Sequence, residues 1–200
     1  SDGTALSDEV VVPNEAFDAD PRVSVADDGR FVVVWHNGDP FSLLPGLDGD
    51  SIGVFGQRFA SNGAASGSVF QVNSYTSGYQ YFPAVAMSET GAFVVVWTNG
   101  AGDGDGPGIA GQRFDAAGDP VGGEFQVNSQ TLGYQDRPRV AMDSSENVTV
   151  GWASIASDAL PNPDGDGSGV FARQFDGAGV PAGNDFQVNQ QTLGEQGSPD

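Results

Sequence analysis

The 200 residues include no cysteine, no lysine and a single histidine, His36. Without cysteine there is neither a disulfide scaffold nor a thiolate-ligated zinc. The seven basic side chains are all arginine, set against 27 acids (21 Asp and 6 Glu), for a formal net charge of −20. Tracking a phosphate backbone takes a cationic stripe, so nucleic acid is excluded as a partner. No apolar run approaches the ~20 residues of a membrane-spanning helix, and no charged-then-apolar leader opens the chain. No segment sustains a helical apolar period. What remains is 38% hydrophobic residues with 13 Phe and 3 Trp. That is enough for a packed core and too much for a disordered acidic tail.

Internal repetition sets the architecture. Phe31-Val-Val-Val-Trp35 recurs as Phe93-Val-Val-Val-Trp97 and, degraded, as Val148-Thr-Val-Gly-Trp152. Gly56-Gln-Arg-Phe59 recurs as Gly111-Gln-Arg-Phe114 and as Ala172-Arg-Gln-Phe175, with the middle pair swapped. Phe70-Gln-Val-Asn73 returns at Phe125–Asn128 and Phe186–Asn189. The copies lie 55 to 62 residues apart, and the loop after each Trp absorbs most of the difference. A segment that varies in length while its flanks hold register is a surface loop.

Each copy reads as four strands, in the middle one Pro83–Met87, Phe93–Thr98, Gly108–Asp115 and Glu124–Ser129, separated by Gly, Asp, Asn and Pro turns. The second strand is apolar on both sides and is expected to be covered on both faces, as an inner strand of a blade. The fourth alternates and suits an outer position. Four antiparallel strands in such a repeat predict an all-β chain of tandem β-propeller blades. The blades are 21–73, 83–128 and 138–189, with 1–20 ending a preceding repeat and 190–200 opening a further one. Three blades predict a partial propeller or one completed by oligomerisation. A β-sandwich repeat array is the alternative, and would need more strands per unit.

The succession Phe-Val-Val-Val-Trp, Asp-Gly-Asp-Gly-x-Gly-Ile, Gly-Gln-Arg-Phe-Asp, Glu-Phe-Gln-Val-Asn and Gln-x-x-Pro resembles a tandem repeat of very large secreted bacterial proteins. Those proteins often carry calcium-binding repeats-in-toxin segments or adhesin modules. The resemblance spans about 8–200 and is best in 83–128. It implies an extracellular or cell-surface setting and says little about activity.

Asp-Gly-Asp recurs at Asp48/Asp50, Asp103/Asp105 and Asp164/Asp166. Calcium takes six to eight oxygens, and two carboxylates flanking a glycine can face one ion. Asp-Gly is also a strong hairpin-turn dipeptide, so a bare turn is the competing interpretation. Trp35, Trp97 and Trp152 are expected to fill gaps between blades, with stacking on a sugar as the functional alternative. Arg58, Arg113 and Arg173 are expected to pair with Asp on neighbouring strands. Asn73, Asn128 and Asn189, with Gln80, Gln135 and Gln196, are expected to satisfy backbone groups in the connections. His36 is unrepeated and, without a serine elbow or cysteine, forms no triad.

These observations predict a non-catalytic structural or adhesive module, not an enzyme, stabilised by calcium at the Asp-Gly-Asp loops. Its partners would be neighbouring repeats or further copies of itself, with glycans as a second class. A lectin-like propeller and a glycoside-acting hydrolase fragment are the rivals.

Overall fold

The computed structural model describes residues 18–38, 49, 52–155 and 168–190. Among them, twelve strands form three four-stranded antiparallel sheets, each in sequence order. The first sheet holds β1 (Asp18–Val25), β2 (Phe31–Asn37), β3 (Gly53–Phe59) and β4 (Ala65–Gln71). The second holds β5 (Gln80–Met87), β6 (Phe93–Asn99), β7 (Gly108–Phe114) and β8 (Pro120–Gln126). The third holds β9 (Tyr134–Met142), β10 (Val148–Ile155), β11 (Ser168–Phe175) and β12 (Phe186–Gln187).

The sheets stack face on face, and β5 packs against both β1 and β9. The first strand of each sheet is therefore innermost and the fourth outermost. This is the blade arrangement of a propeller, all-β as expected, with each sheet facing the next instead of pairing off in sandwiches. The apolar second strand is not the innermost. β6 runs inside its sheet between β5 and β7, and Phe93 through Thr98 are all buried, because a neighbouring sheet covers each face. The outer strand β8 begins at Pro120 and ends at Gln126, earlier than Glu124–Ser129, and β5 begins at Gln80, ahead of Pro83.

Two cores follow from the side-chain alternation of strands. Val32, Val34 and Val54 of the first sheet meet Val85, Phe93, Val95, Trp97 and Phe114 of the second. On the other side of the second sheet, Ala84, Val94, Val96 and Ile109 meet Val148, Val150, Trp152, Phe171 and Phe175. Trp35, Trp97 and Trp152 are 4%, 1% and 1% exposed, so they pack the core and present no ring to a ligand.

Many turn acids hold hairpins. Asp115 Oδ1 accepts from the amides of Ala117 and Asp119, and Asp176 Oδ1 from those of Ala178 and Val180. Among the described residues the connections behave as expected, and Gln196 lies outside them. Asn73 Oδ1 accepts from Val54 N at 2.8 Å, Asn128 from Ile109 N at 2.8 Å and Asn189 from Val170 N at 2.8 Å. Gln80 and Gln135 donate to the carbonyls of Ser77 and Leu132.

Arg58 and Arg113 differ from expectation, since their partners are carbonyl oxygens of the next sheet, while Arg173 does pair with an aspartate. Arg58 donates to Ala116 O at 3.1 Å, and its guanidinium lies where a side chain at Gly118 would begin. Arg113 donates to Gly177 O at 2.6 Å and Asp176 O at 3.4 Å. Arg173 pairs with Asp185 at 3.7 Å and donates backwards to Val127 O at 2.8 Å.

Candidate functional site

Each innermost strand breaks at the same place. One extra residue is inserted between Ala19 and Arg22, between Tyr81 and Ala84, and between Asp136 and Arg139. At each break, the residue before the proline takes a left-handed backbone: Asp20 at φ 50°, Phe82 at φ 51° and Arg137 at φ 52°. For residues other than glycine this conformation costs on the order of 1–3 kcal/mol, and such strain concentrates at functional sites. Bulges of this kind re-aim side chains.

The breaks lie at one end of the innermost strands. Opposite them on the second strands stand His36, Thr98 and Ala153, paired with Ala19, Tyr81 and Asp136 respectively. Between the first two sheets, Asp20, His36, Ile52, Tyr79, Tyr81 and Phe82 line a cavity of about 320 Å³. His36 Nδ1 lies 3.8 Å from Asp20 Oδ2, with the His36 side chain 8% and the Asp20 side chain 37% exposed. The His36 ring meets Phe82 edge-on at 6.3 Å, and Tyr81 meets Phe82 edge-on at 4.9 Å.

The row continues into the third sheet. The Arg137 guanidinium lies over the Phe82 ring at 5.2 Å, within cation–π range. Asp136 Oδ1 accepts from Thr98 Oγ1 and from Arg137 N, both at 2.9 Å, so its carboxylate is held in one orientation. Burial, with the Asp136 charge adding to it, pushes the Tyr81 hydroxyl up to about 12, so Tyr81 is a hydrogen-bond donor throughout the neutral range. Asp20, His36, Tyr79, Tyr81 and Phe82 thus share one cavity, and Phe82 links it through Arg137 to Asp136 at the same end of the third sheet.

Of the six aspartates singled out by sequence, Asp48, Asp50, Asp164 and Asp166 lie outside the described residues. Asp103 and Asp105 stand in the loop between β6 and β7. Asp103 Oδ2 accepts from Asn128 Nδ2, which ties the loop to the β8–β9 connection. Asp103 Oδ1 and Asp105 Oδ2 are buried without a hydrogen-bond partner. Burial, partly countered by Asn128, raises the Asp103 carboxyl above its ordinary value. Among the described residues, no three His, Asp or Glu side chains converge as a metal-binding group.

Sequence reasoning passed over Asp20, Tyr81, Phe82, Asp136 and Arg137. One signal could have found all but Asp20, which precedes Pro21 in Asp-Ala-Asp-Pro, without the glutamine. Within the recurring Gln-x-x-Pro the two middle residues differ in every copy, Tyr81-Phe82 against Asp136-Arg137. A rigid frame with variable contents is how a scaffold presents a site.

No family model matches the chain, and no curated protein sequence matches it. Solved structures do. The α-L-arabinofuranosidase of Lactobacillus brevis is similar with a TM-score of 0.57 at 12% identity, over 92% of this chain and 61% of that one. The endo-arabinase of Bacteroides thetaiotaomicron follows at 0.53 and 11%, over 86% of this chain and 62% of that one. The N-acetylgalactosamine deacetylase of F. plautii, solved with blood group B trisaccharide, stands at 0.52 and 13%, over 84% and 50%. At such identities the likeness establishes the fold, a partial β-propeller. The chain spans about three-fifths of the length of the first two.

These neighbours correct two expectations. Neither a non-catalytic structural or adhesive module nor the absence of enzymatic activity stands, because the solved proteins that share this arrangement of sheets are enzymes acting on carbohydrates.

Proposed function

We propose that the chain is part of a carbohydrate-active propeller that holds an arabinose-containing polysaccharide at the inner-strand breaks. The observation that carries this is the trio of strained residues Asp20, Phe82 and Arg137, which turns acids and rings into one row. Sugars are recognised by stacking on aromatic faces and by hydrogen bonds from hydroxyls to oriented carboxylates. Tyr79, Tyr81 and Phe82 supply the first, and Asp20 and Asp136 the second. In glycoside hydrolysis two carboxyl groups divide the work. The more exposed Asp20, beside His36, is placed to take a proton from the attacking water, while the departing sugar oxygen takes its proton from solvent water. Asp136, fixed by Thr98 and Arg137, orients the sugar and stabilises developing positive charge.

The test is retention in arabinan-containing gels together with release of reducing sugar from arabinan and arabinoxylan. Asp20→Asn is expected to lower release by about 10²–10⁴-fold, the usual worth of a positioned acid or base. Asp136→Asn is expected to weaken retention as well. A chain that neither binds nor cleaves these polysaccharides sinks the proposal.

A second proposal concerns calcium at the β6–β7 loop. Two buried carboxylate oxygens without partners, Asp103 Oδ1 and Asp105 Oδ2, support it, since an ion there would offset their desolvation. Glycine carbonyls of the loop would supply further oxygens. Affinity would fall in the range of extracellular modules, on the order of 10⁻⁴–10⁻³ M, which goes with the exported setting implied by the tandem-repeat resemblance. Millimolar calcium is expected to raise the melting temperature of the chain by several degrees and Asp103→Asn to abolish the rise. A melting temperature indifferent to both calcium and chelator excludes it.

A further inference from the structure

The chain has four tyrosines, Tyr75, Tyr79, Tyr81 and Tyr134, and all four stand at one end of the stack of sheets. It is the end at which the innermost strands break. The β4–β5 and β8–β9 connections cross there. They are bound to neighbouring loops by Gln80 N to Ile52 O at 2.8 Å, Gly100 N to Tyr79 O at 2.6 Å and Gln135 N to Pro107 O at 2.9 Å. The turns of the opposite end, 26–30, 60–64, 88–92, 115–119, 143–147 and 176–180, hold no tyrosine. Tyr75, Tyr79 and Tyr134 are 52%, 44% and 41% exposed. The Tyr134 ring rests on Gly106, where a Cβ would come within 3.0 Å of it. Such rings offer a large, flat contact with a polar tip, at little cost in side-chain entropy.

Tyr75 borders a second cavity at this end, of about 320 Å³, between the β4–β5 connection and the outer strand β8. Asn99, Asp103, Glu124, Phe125 and Gln126 also line it. The two cavities adjoin: Tyr79 lines the first and packs on Gly100, while Asn99 and Ala101 line the second. Glu124 Oε1 holds the turn that carries the Tyr75 ring, accepting from Ser74 N and, at 3.0 Å each, from Ser74 Oγ and Tyr75 N. The next copy builds the same turn in the same way, with Asp185 Oδ2 accepting from Ser129 N at 2.7 Å and Gln130 N at 2.8 Å. There Gln130 stands where the earlier copy has Tyr75. The turn therefore forms without the ring, and packing does not account for a half-exposed tyrosine at position 75.

The lining selects the ligand. Among the described residues it includes no cationic side chain, and Asp103 and Glu124 repel an anion. A ring to lie against a sugar face, amides at Asn99 and Gln126 and carboxylates to accept from hydroxyls suit a neutral, polyhydroxylated molecule. We infer that the cavity at Tyr75 is a second carbohydrate subsite, which takes a further stretch of the polysaccharide held at the inner-strand breaks. This rests on the reading of the first cavity given above, and adds that the ligand is a polymer long enough to engage both. Two linked subsites raise the affinity for a chain that spans them and do nothing for a ligand that fills only one.

The experiment uses Tyr75→Gln, which copies the turn at Gln130 and is expected to leave the melting temperature unchanged. Retention in arabinan gels is compared with and without it in an Asp20→Asn background, so that polysaccharide is not consumed, at one fixed millimolar calcium concentration. Tyr75→Gln is expected to weaken the affinity for arabinan about two- to tenfold, the worth of one aromatic contact, and Tyr75→Trp to restore it. With Asp20 intact, cleavage of an arabinose disaccharide is expected to be the same with Tyr75 or Gln at that position. Equal retention of the two proteins overturns the inference and leaves the reading of the first cavity standing. A chain that arabinan does not retain overturns both. A loss that Tyr75→Trp fails to restore, or one matched by slower disaccharide cleavage, also overturns the inference, because Tyr75 then acts through the fold or the first cavity.

Discussion

Asp143 shows what a single acid does in this chain. It caps the turn between β9 and β10, accepting at Oδ1 from Ser145 N and Asn147 N and at Oδ2 from Asn147 Nδ2. The Asn147 side-chain bond, then the Asn147 amide, hold its carboxyl below the ordinary value of 3.8. A depressed carboxyl contributes stability above its unfolded value and loses it as pH falls through the folded one. Asp143→Asn is therefore expected to leave the melting temperature at pH 7 lower and to flatten its decline below about pH 4. A melting curve against pH that is identical for both proteins contradicts the capping role. Asp28 behaves in the same way, its carboxyl lowered first by the Arg30 amide. Much of the acid excess is thus spent locally on turn amides. Asp103 is the opposite case, raised by burial.

At the scale of the strand, the third copy shows how one residue governs an element. Gly111 leaves the space in which Phe125 lies, and the Phe125 ring then reaches Phe175 of the third sheet at 5.4 Å. Gly111→Ala is expected to expel that ring and destabilise the fold by about 1–3 kcal/mol, the usual cost of overpacking. Urea unfolding measures it, as a lowered midpoint at constant slope. Nature has made the matching change at Ala172, where β12 is reduced to Phe186–Gln187. The strands were legible from the repeat because each carries a fixed apolar pattern. The breaks at Asp20, Phe82 and Arg137 were not, since a bulge depends on which residues pair across the sheet and leaves the hydrophobic pattern intact.

For the whole molecule, the decisive bonds run between sheets. Arg113 ties the second sheet to the third through Gly177 O and Asp176 O, with Glu146 4.0 Å away, and its side chain is 13% exposed. Glu146, left-handed at φ 62°, accepts from Thr90 Oγ1 and Ser88 Oγ of the second sheet. Arg113→Gln, which copies what the third sheet has at Gln174, is expected to cost about 1.5–3 kcal/mol, as for a hydrogen bond to a charged group. Calorimetry is expected to show the third sheet melting earlier. Unfolding unchanged from the parent chain would show that apolar packing alone holds the sheets together.

Composition and repetition by themselves determined the all-β class, the four-strand unit, the buried tryptophans and the polar connections. Each of these is a local pattern copied along the chain, which neighbouring residues are enough to specify. Only the tertiary structure decided which strand is innermost, that the arginines bind carbonyl oxygens of adjacent sheets, and that His36 stands beside Asp20 and Phe82. The physical reason is distance along the chain: Asp20, Phe82 and Arg137 are brought together by the stacking of sheets, and the order of residues says nothing of which faces will meet.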